Sequence, residues 1–396
     1  MFQSLKFILI SSLLCSFVFT LSSCSKKELG LRPEEKSIEA QIEELIDEEK
    51  SLDDVEINEY FRDLVRRFRR VYLNNSYNSL KHKKDALELL LYLSNSKLQY
   101  FNASDSENAE KYALKIIKNS MRRLRFIKKR DIDFGLMELV NYYADSSVFL
   151  DKGYLKNSSK KLFVKILDEL SNPEGFFLYR QGDDSYPDMD DNSFALLSIL
   201  KLYRISQDLR YLEKASRLAE QIIDKLGGIQ INIDLVQSLL YLYNFTNDSF
   251  WLETASSLAE MILDDPDSYH NVKTARFMNY LYYFLDEPKF RTFAETTYED
   301  LIKEDLKADT VLDFDILLLK LELEREPIYL KLEADDLSNK KSEKFLDKFL
   351  DYPSNFYLIN MSESERNLNR AKVCIDKQCS DYFSDDDELE EYLSSI

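Results

Sequence analysis

Part of this chain repeats at an offset of 40 residues, and that repeat limits the folds open to it more than any other feature. Leu202-Tyr203, Asp208 and Tyr211-Leu212-Glu213 recur as Leu242-Tyr243, Asp248 and Trp251-Leu252-Glu253. The segment that follows repeats too: Leu212, Ala215, Leu218, Ala219, Ile222 and Ile223 match Leu252, Ala255, Leu258, Ala259, Ile262 and Leu263. A third copy, offset by about 39, sets Tyr282, Phe290 and Ala294 where Tyr243, Trp251 and Ala255 stood. Apolar residues at these steps lie along one side of an α-helix. The unit is a helical hairpin, which buries its apolar stripe only by stacking on its neighbours.

Within each unit the first helix is apolar nearly all round, as in Leu196-Leu197-Ser198-Ile199-Leu200 and Leu239-Leu240-Tyr241-Leu242-Tyr243, whereas the second carries only a stripe. That asymmetry suits two concentric layers, with inner helices covered on two sides and outer helices facing water. Segments around Tyr60–Tyr72, Ala86–Leu93, Asn108–Ile127, Phe134–Tyr143 and Tyr154–Leu170 extend the pattern to about twelve helices between Asp54 and Leu323. The fold expected is mostly α, an (α/α)6-type toroid of helical hairpins over residues 54–325. An open tetratricopeptide-type solenoid is the alternative, but its 34-residue period is missed by five or six residues per unit. Turn residues are scarce: there are seven Gly and seven Pro, against roughly 28 and 20 at average usage.

After Glu326 the pattern changes. Ile328–Leu332, Phe356–Ile359 and Ala371–Ile375 read as strands, Lys341–Leu350 and Asp387–Leu393 as helices. Residues 326–396 should form a small α/β appendage.

The N-terminus reads as an export signal. Lys6 precedes an apolar run from Phe7 to Leu21, and Leu21-Ser22-Ser23-Cys24 has the small-residue pattern of bacterial lipoprotein processing. Residues 1–23 would be removed, Cys24 would carry acyl chains, and residues 24–53 would form a tether ending in a short charged helix. The expected location is the cell envelope, on a membrane and outside the cytoplasm.

Loss of residues 1–23, which hold one cation and no acid, takes the formal charge from −19 to −20. Phosphate binding by counterion release needs clustered cations, and the runs Arg66–Arg70 and Arg122–Arg130 lie among acids, so nucleic acid is not an expected partner. No glycine-rich phosphate loop is present, which argues against a nucleotide. The only histidines are His82 and His270, too few for histidine catalysis, and no metal or cofactor is expected. With Cys15 in the signal and Cys24 acylated, Cys374 and Cys379 remain. Two sulfurs alone make no zinc site, but in an oxidising compartment they can close a short disulfide.

The densest constellation of chemical groups runs from 174 to 192: Glu174, Tyr179, Arg180, Asp183, Asp184, Asp188, Asp190, Asp191 and Asn192. Loops at one end of a toroid rim its cavity, and two carboxylates at a suitable separation act as acid and base on a glycosidic bond; Glu174 and Asp191 are the candidates. The same residues also suit a solvated acidic loop with Asp191 or Asn192 capping the next helix. Tyr203, Tyr243, Tyr282 and Tyr283 suit a core better than a sugar platform.

The string Ala371-Lys372-Val373-Cys374-Ile375-Asp376-Lys377-Gln378-Cys379, followed by an acidic helix, resembles the ending of the spermatogenesis-associated protein 20-like family, a short strand with Val-Cys, four residues, then Cys. The loop Pro173-Glu174-Gly175-Phe176-Phe177-Leu178-Tyr179-Arg180 with Met189-Asp190-Asp191-Asn192 is similar to that family's glycine-phenylalanine loop and Asp-Asn helix start. The resemblance covers roughly residues 55–396 and implies a toroid of the six-hairpin glycosidase type. It departs from the family where the thioredoxin-like domain would precede the hairpins, and in the Trp and His that would stand before Asp191-Asn192. The reading that follows is a lipid-anchored toroid that binds an envelope protein or glycan without catalysis. Its alternatives are a carbohydrate-active enzyme using carboxylates of the 174–192 loop, and a solenoid-like envelope assembly factor.

Overall fold

The computed structural model describes residues 132, 134–149, 153–178, 188–225, 231–308, 314–334, 339–352, 354, 356–363, 369–375 and 378–395. By its contacts the chain divides into two units, Met1–Glu49 and Lys50–Ile396, and the described residues all belong to the second. The export signal, the tether and the hairpin segments read between 54 and 131 lie outside the described residues.

Among the described residues, a 3-10 turn at Phe134–Leu136 is followed by nine α-helices in hairpin order: α1 (Met137–Phe149), α2 (Gly153–Leu170), α3 (Met189–Ser206), α4 (Leu209–Lys225), α5 (Ile233–Thr246), α6 (Ser249–Asp264), α7 (Val272–Leu285), α8 (Pro288–Ala308) and α9 (Phe314–Glu324). Odd-numbered helices pack on one another in series, and each even-numbered helix packs on the odd-numbered one before it. This is a two-layered α/α array, mostly α as the repeat requires. The inner helix α3 buries twelve of its 18 residues, whereas α4 buries only Ala215, Leu218, Ala219 and Ile222.

The 40-residue repeat has a backbone cause. Each of three inner helices ends on a residue in the left-handed region: Gln207 (φ 51), Asn247 (φ 55) and Asp286 (φ 55). Their N–H groups return to the carbonyls of Tyr203, Tyr243 and Tyr282 at 2.6, 2.7 and 2.7 Å. The next residue begins the outer helix: Asp208 accepts from the N–H of Arg210 at 3.1 Å, and Asp248 from that of Phe250 at 3.0 Å. Left-handed caps usually fall to Gly; here Gln, Asn and Asp fill them, which is how a glycine-poor chain makes its turns. At the other end, Asp188, Asn232 and Asn271 cap α3, α5 and α7 with side-chain oxygens. Small residues set the layer spacing, with Ala215, Ala255 and Ala294 fully buried at equivalent positions.

The appendage has β1 (Ile328–Ala334), α10 (Lys340–Leu350), β2 (Tyr357–Glu363), β3 (Arg370–Ile375), β4 (Gln378–Cys379) and α11 (Asp386–Ser395). Its sheet order is β2-β1-β3-β4, with β1 and β2 parallel and the other pairs antiparallel. A parallel pair needs a crossover, which α10 supplies. Alternation puts Leu330, Leu332 and Ala334 inside, and Lys344 bridges α10 to Asp386 of α11 at 3.2 Å. The short β4 has no periodic signal in the sequence. It places Cys379 opposite Cys374, and the two are joined by an S–S bond of 2.07 Å.

Candidate functional site

The described part of the acidic loop before α3 is a built turn. Gly175 adopts φ 97, open to Gly at no steric cost. Asn172 Oδ1 accepts from the Phe176 N–H at 2.9 Å, and the carbonyl of Leu170 accepts from the Leu178 N–H at 2.8 Å. The turn drives Phe176 and Phe177 into the core, where Phe177 meets Phe163 at 6.1 Å between ring centroids and Lys225 lies 4.2 Å above the Phe176 ring.

This packing assigns partners to four of the five candidate residues that are described. Glu174 is two-thirds exposed and turned to the outer helix α4, where Lys225 holds its carboxylate at 3.2 Å and Gln221 donates to its carbonyl at 2.8 Å. Asn192 is fully buried: its Oδ1 accepts from the Phe177 N–H at 2.8 Å, and its Nδ2 donates to the carbonyls of Phe177 at 3.0 Å and Asp188 at 2.7 Å. It clamps the turn to the helix. The N-cap of α3 is Asp188, three and four residues ahead of the positions that the sequence suggested, and it accepts from the N–H groups of Asp190 (2.8 Å) and Asp191 (3.1 Å). Its extended backbone, φ −69 and ψ 128, is the geometry a cap needs. Asp190 accepts from Asn232 Nδ2 at 2.7 Å, which links the start of α3 to the start of α5. Tyr179, Arg180, Asp183 and Asp184 lie outside the described residues.

Asp191 stands apart from these. Half-buried on the first turn of α3, it accepts no side-chain hydrogen bond among the described residues. Burial, and then the charges of Asp188 and Asp190, push its carboxyl up to about 6. An acid protonated near neutrality is what general-acid chemistry calls for, but catalysis on a glycosidic bond needs a second carboxylate facing it. No described contact joins Asp191 to Glu174, whose carboxylate is engaged on the outer layer.

The tyrosines read as core are held in packing. Tyr203 meets Phe245 edge-on at 4.9 Å, Tyr243 meets Phe284 at 5.5 Å, and Tyr283 donates to the carbonyl of Arg325 at 3.1 Å. Among the described residues no group of three His, Cys, Asp or Glu is arranged to hold a metal, and no helix is long and apolar enough to cross a membrane.

What the sequence did not reveal is the join between helices and appendage. Arg204 at the end of α3 is 6% exposed, and its guanidinium donates to the carbonyls of Leu350 (3.3 Å), Tyr352 (3.0 Å) and Ser354 (2.6 Å). It also lies 4.8 Å over the Tyr357 ring. Asn244 of α5 accepts from the Ile359 N–H at 2.9 Å and donates to Tyr280 Oη at 2.8 Å, and Tyr280 donates to the carbonyl of Tyr357. The edge of β2 is thereby sealed by two inner helices. A signal is present in Arg204 and Asn244, each a polar residue set among apolar ones near the end of an inner helix. Beside the join, Lys201 of α3 and Asp145 of α1 form an ion pair at 2.6 Å.

No family model matches the chain, and no curated protein matches its sequence. Among solved structures it is similar to the Lin0763 protein of Listeria innocua, at 17% identity and a TM-score of 0.48 over 63% of this chain and 87% of that one. It is also similar to a D-mannose isomerase (11%, 0.40, over 55% and 73%) and to a GH76 alpha-mannanase of Bacteroides thetaiotaomicron (14%, 0.40, over 66% and 84%). Likenesses of this size carry no weight for function.

Proposed function

We propose that this chain is a lipid-anchored envelope protein whose helical body binds a protein or glycan without turning it over. The anchor is read from Leu21-Ser22-Ser23-Cys24. The relation to the spermatogenesis-associated protein 20-like family is inferred from the Val373-Cys374 to Cys379 string and the 173–192 loop. The observation that carries the non-catalytic reading is the engagement of three of the four described acids of the loop. Asp188 caps α3, Asp190 holds Asn232, and Glu174 is paired with Lys225. Side chains turned to a cap, to an amide and to the outer layer do not face one another as a catalytic pair of carboxylates must. The alternative, a carbohydrate-active enzyme, is supported by Asp191 alone, through its raised carboxyl.

Two experiments test this reading. Purified protein incubated with envelope glycans is expected to release no product; hydrolysis or epimerisation that disappears in Asp191→Asn or Glu174→Gln, with the fold intact, would establish the enzyme instead. Mass spectrometry of the mature N-terminus is expected to find acylated Cys24, and Cys24→Ala is expected to release the protein from membranes. An unmodified N-terminus refutes the anchor.

A further inference from the structure

The outward face of α2 differs in charge from the acidic chain around it. Its first four turns hold Lys156, Lys160, Lys161 and Lys165 and no acid; Asp168 and Glu169 come only at its end. Elsewhere Lys201, Lys273 and Lys344 each meet a carboxylate, at 2.6, 2.6 and 3.2 Å. The four lysines of α2 form no ion pair among the described residues. Burial, and then the charges of Lys156 and Arg210, hold the Lys160 ammonium below its ordinary range, with Asp208 opposing. Two acids bear on this region: Asp208, already paired with Arg210 at 2.6 Å, and Asp347 of α10, which feels Lys156.

Apolar side chains are interleaved with these lysines. Tyr154 is 44% and Val164 45% exposed, on the same outward stripe as Lys161 and Lys165, while Leu155, Leu162, Phe163 and Ile166 face the core. Leu209, 57% exposed, opens the neighbouring helix α4, which touches α2 through Phe163 and Tyr211 at 5.9 Å. Lys161 and Lys165 are exposed on this face, Lys156 and Lys160 are half-buried at its edge, and Asp168 closes it; cations interleaved with single aromatic or aliphatic residues along one helix fit an anionic bilayer surface. On a chain of formal charge −19, one cationic face also sets which side turns toward such a surface.

We propose that the outward face of α2 docks the protein on an anionic lipid surface, its lysines meeting headgroup phosphates while Tyr154 and Val164 enter the interfacial layer. A lipid rather than an acidic protein is favoured by the anchor read at Cys24, and to that extent the inference rests on the lipoprotein reading.

The test removes the anchor. The chain from residue 24 onward, bearing Cys24→Ser, is floated with vesicles of phosphatidylcholine alone and with an equal mixture of phosphatidylcholine and phosphatidylglycerol. Binding is expected only to the mixture, and is expected to weaken with salt. Each lysine neutralised should cost about fivefold in affinity, so Lys160→Gln/Lys161→Gln/Lys165→Gln should lose on the order of a hundredfold. Should that variant fail to fold by circular dichroism, Lys161→Gln at its exposed site should still lose about fivefold. Failure to bind the mixture, equal binding by wild type and variants, or binding to an acidic protein but not to vesicles overturns the proposal. The mass of the mature N-terminus is a separate measurement, so the lipoprotein reading can fail independently.

Discussion

At the scale of single residues, the fold depends on polar side chains inside apolar helices. Arg204 spreads one guanidinium over three carbonyls at and beyond the end of α10, a fork that an ammonium cannot reproduce. Arg204→Lys is therefore expected to cost about 2 kcal/mol, since buried acceptors lose charged donors; an unchanged denaturation midpoint would refute the clamp. Asp191 works in the opposite sense. Its folded carboxyl sits at about 6, above the ordinary 3.8, so the fold favours the protonated form. The stability this gives is fully present below about pH 4 and is lost as pH rises through about 6. Asp191→Asn, which imitates the neutral acid, is expected to raise the melting temperature above about pH 6 and to leave it unchanged below about pH 4. Solvent around its exposed half keeps the gain below that of a fully buried acid. A gain independent of pH would show that charge is not the cause.

At the scale of elements, the sequence revealed what is periodic and missed what is not. The hairpin repeat, the asymmetry of inner and outer helices, three strands and both appendage helices follow from apolar spacing, because one buried face leaves a period behind. The start of α3 is ambiguous in the sequence because four polar residues within five positions, Asp188 and Asp190 to Asn192, all suit a cap; the choice depends on the Phe177 turn, which Asn192 holds through both its amide oxygen and its amide nitrogen. The β4 strand is two residues long and carries no period. The docking of β2 on α5 and α7 joins Asn244 to Ile359, 115 positions apart, and nothing local announces it. That join makes a prediction. Asn244→Leu leaves the Ile359 N–H without its acceptor and Tyr280 without its donor. The expected cost is about 1–3 kcal/mol for the orphaned amide alone. Hydrogen exchange should show the Ile359 amide losing protection before the core of β1; equal protection in variant and wild type would mean that β2 is held by burial and not by these bonds.

At the scale of the whole molecule, the same join decides whether body and appendage unfold as one. If the appendage were a separate domain, its contacts with the helices would be sparse and polar, and it would melt by itself. The contacts are instead buried: Tyr241 and Phe349 pack on Tyr357 and Tyr280 packs on Phe356, Arg204 crosses from body to appendage, and Asn244 and Tyr280 close the edge of β2. Exposing Tyr357 and Phe356 alone would forfeit about 1.5–3 kcal/mol for each ring, and breaking the Asn244 and Arg204 bonds would add to that. Opening the appendage while the helices stay folded therefore costs a large part of a typical domain's 5–15 kcal/mol. A single transition is expected. Trp251, the only tryptophan, is buried in α6 and reports on the helical body, and the amides of β1 and β2 report on the appendage. In urea, the loss of Trp251 fluorescence and of strand protection should share one midpoint, and Arg204→Lys should move both together. If the strands open at a lower urea concentration than the one that changes Trp251, the appendage is an independent module, and the buried tyrosine cluster does not couple it to the helices.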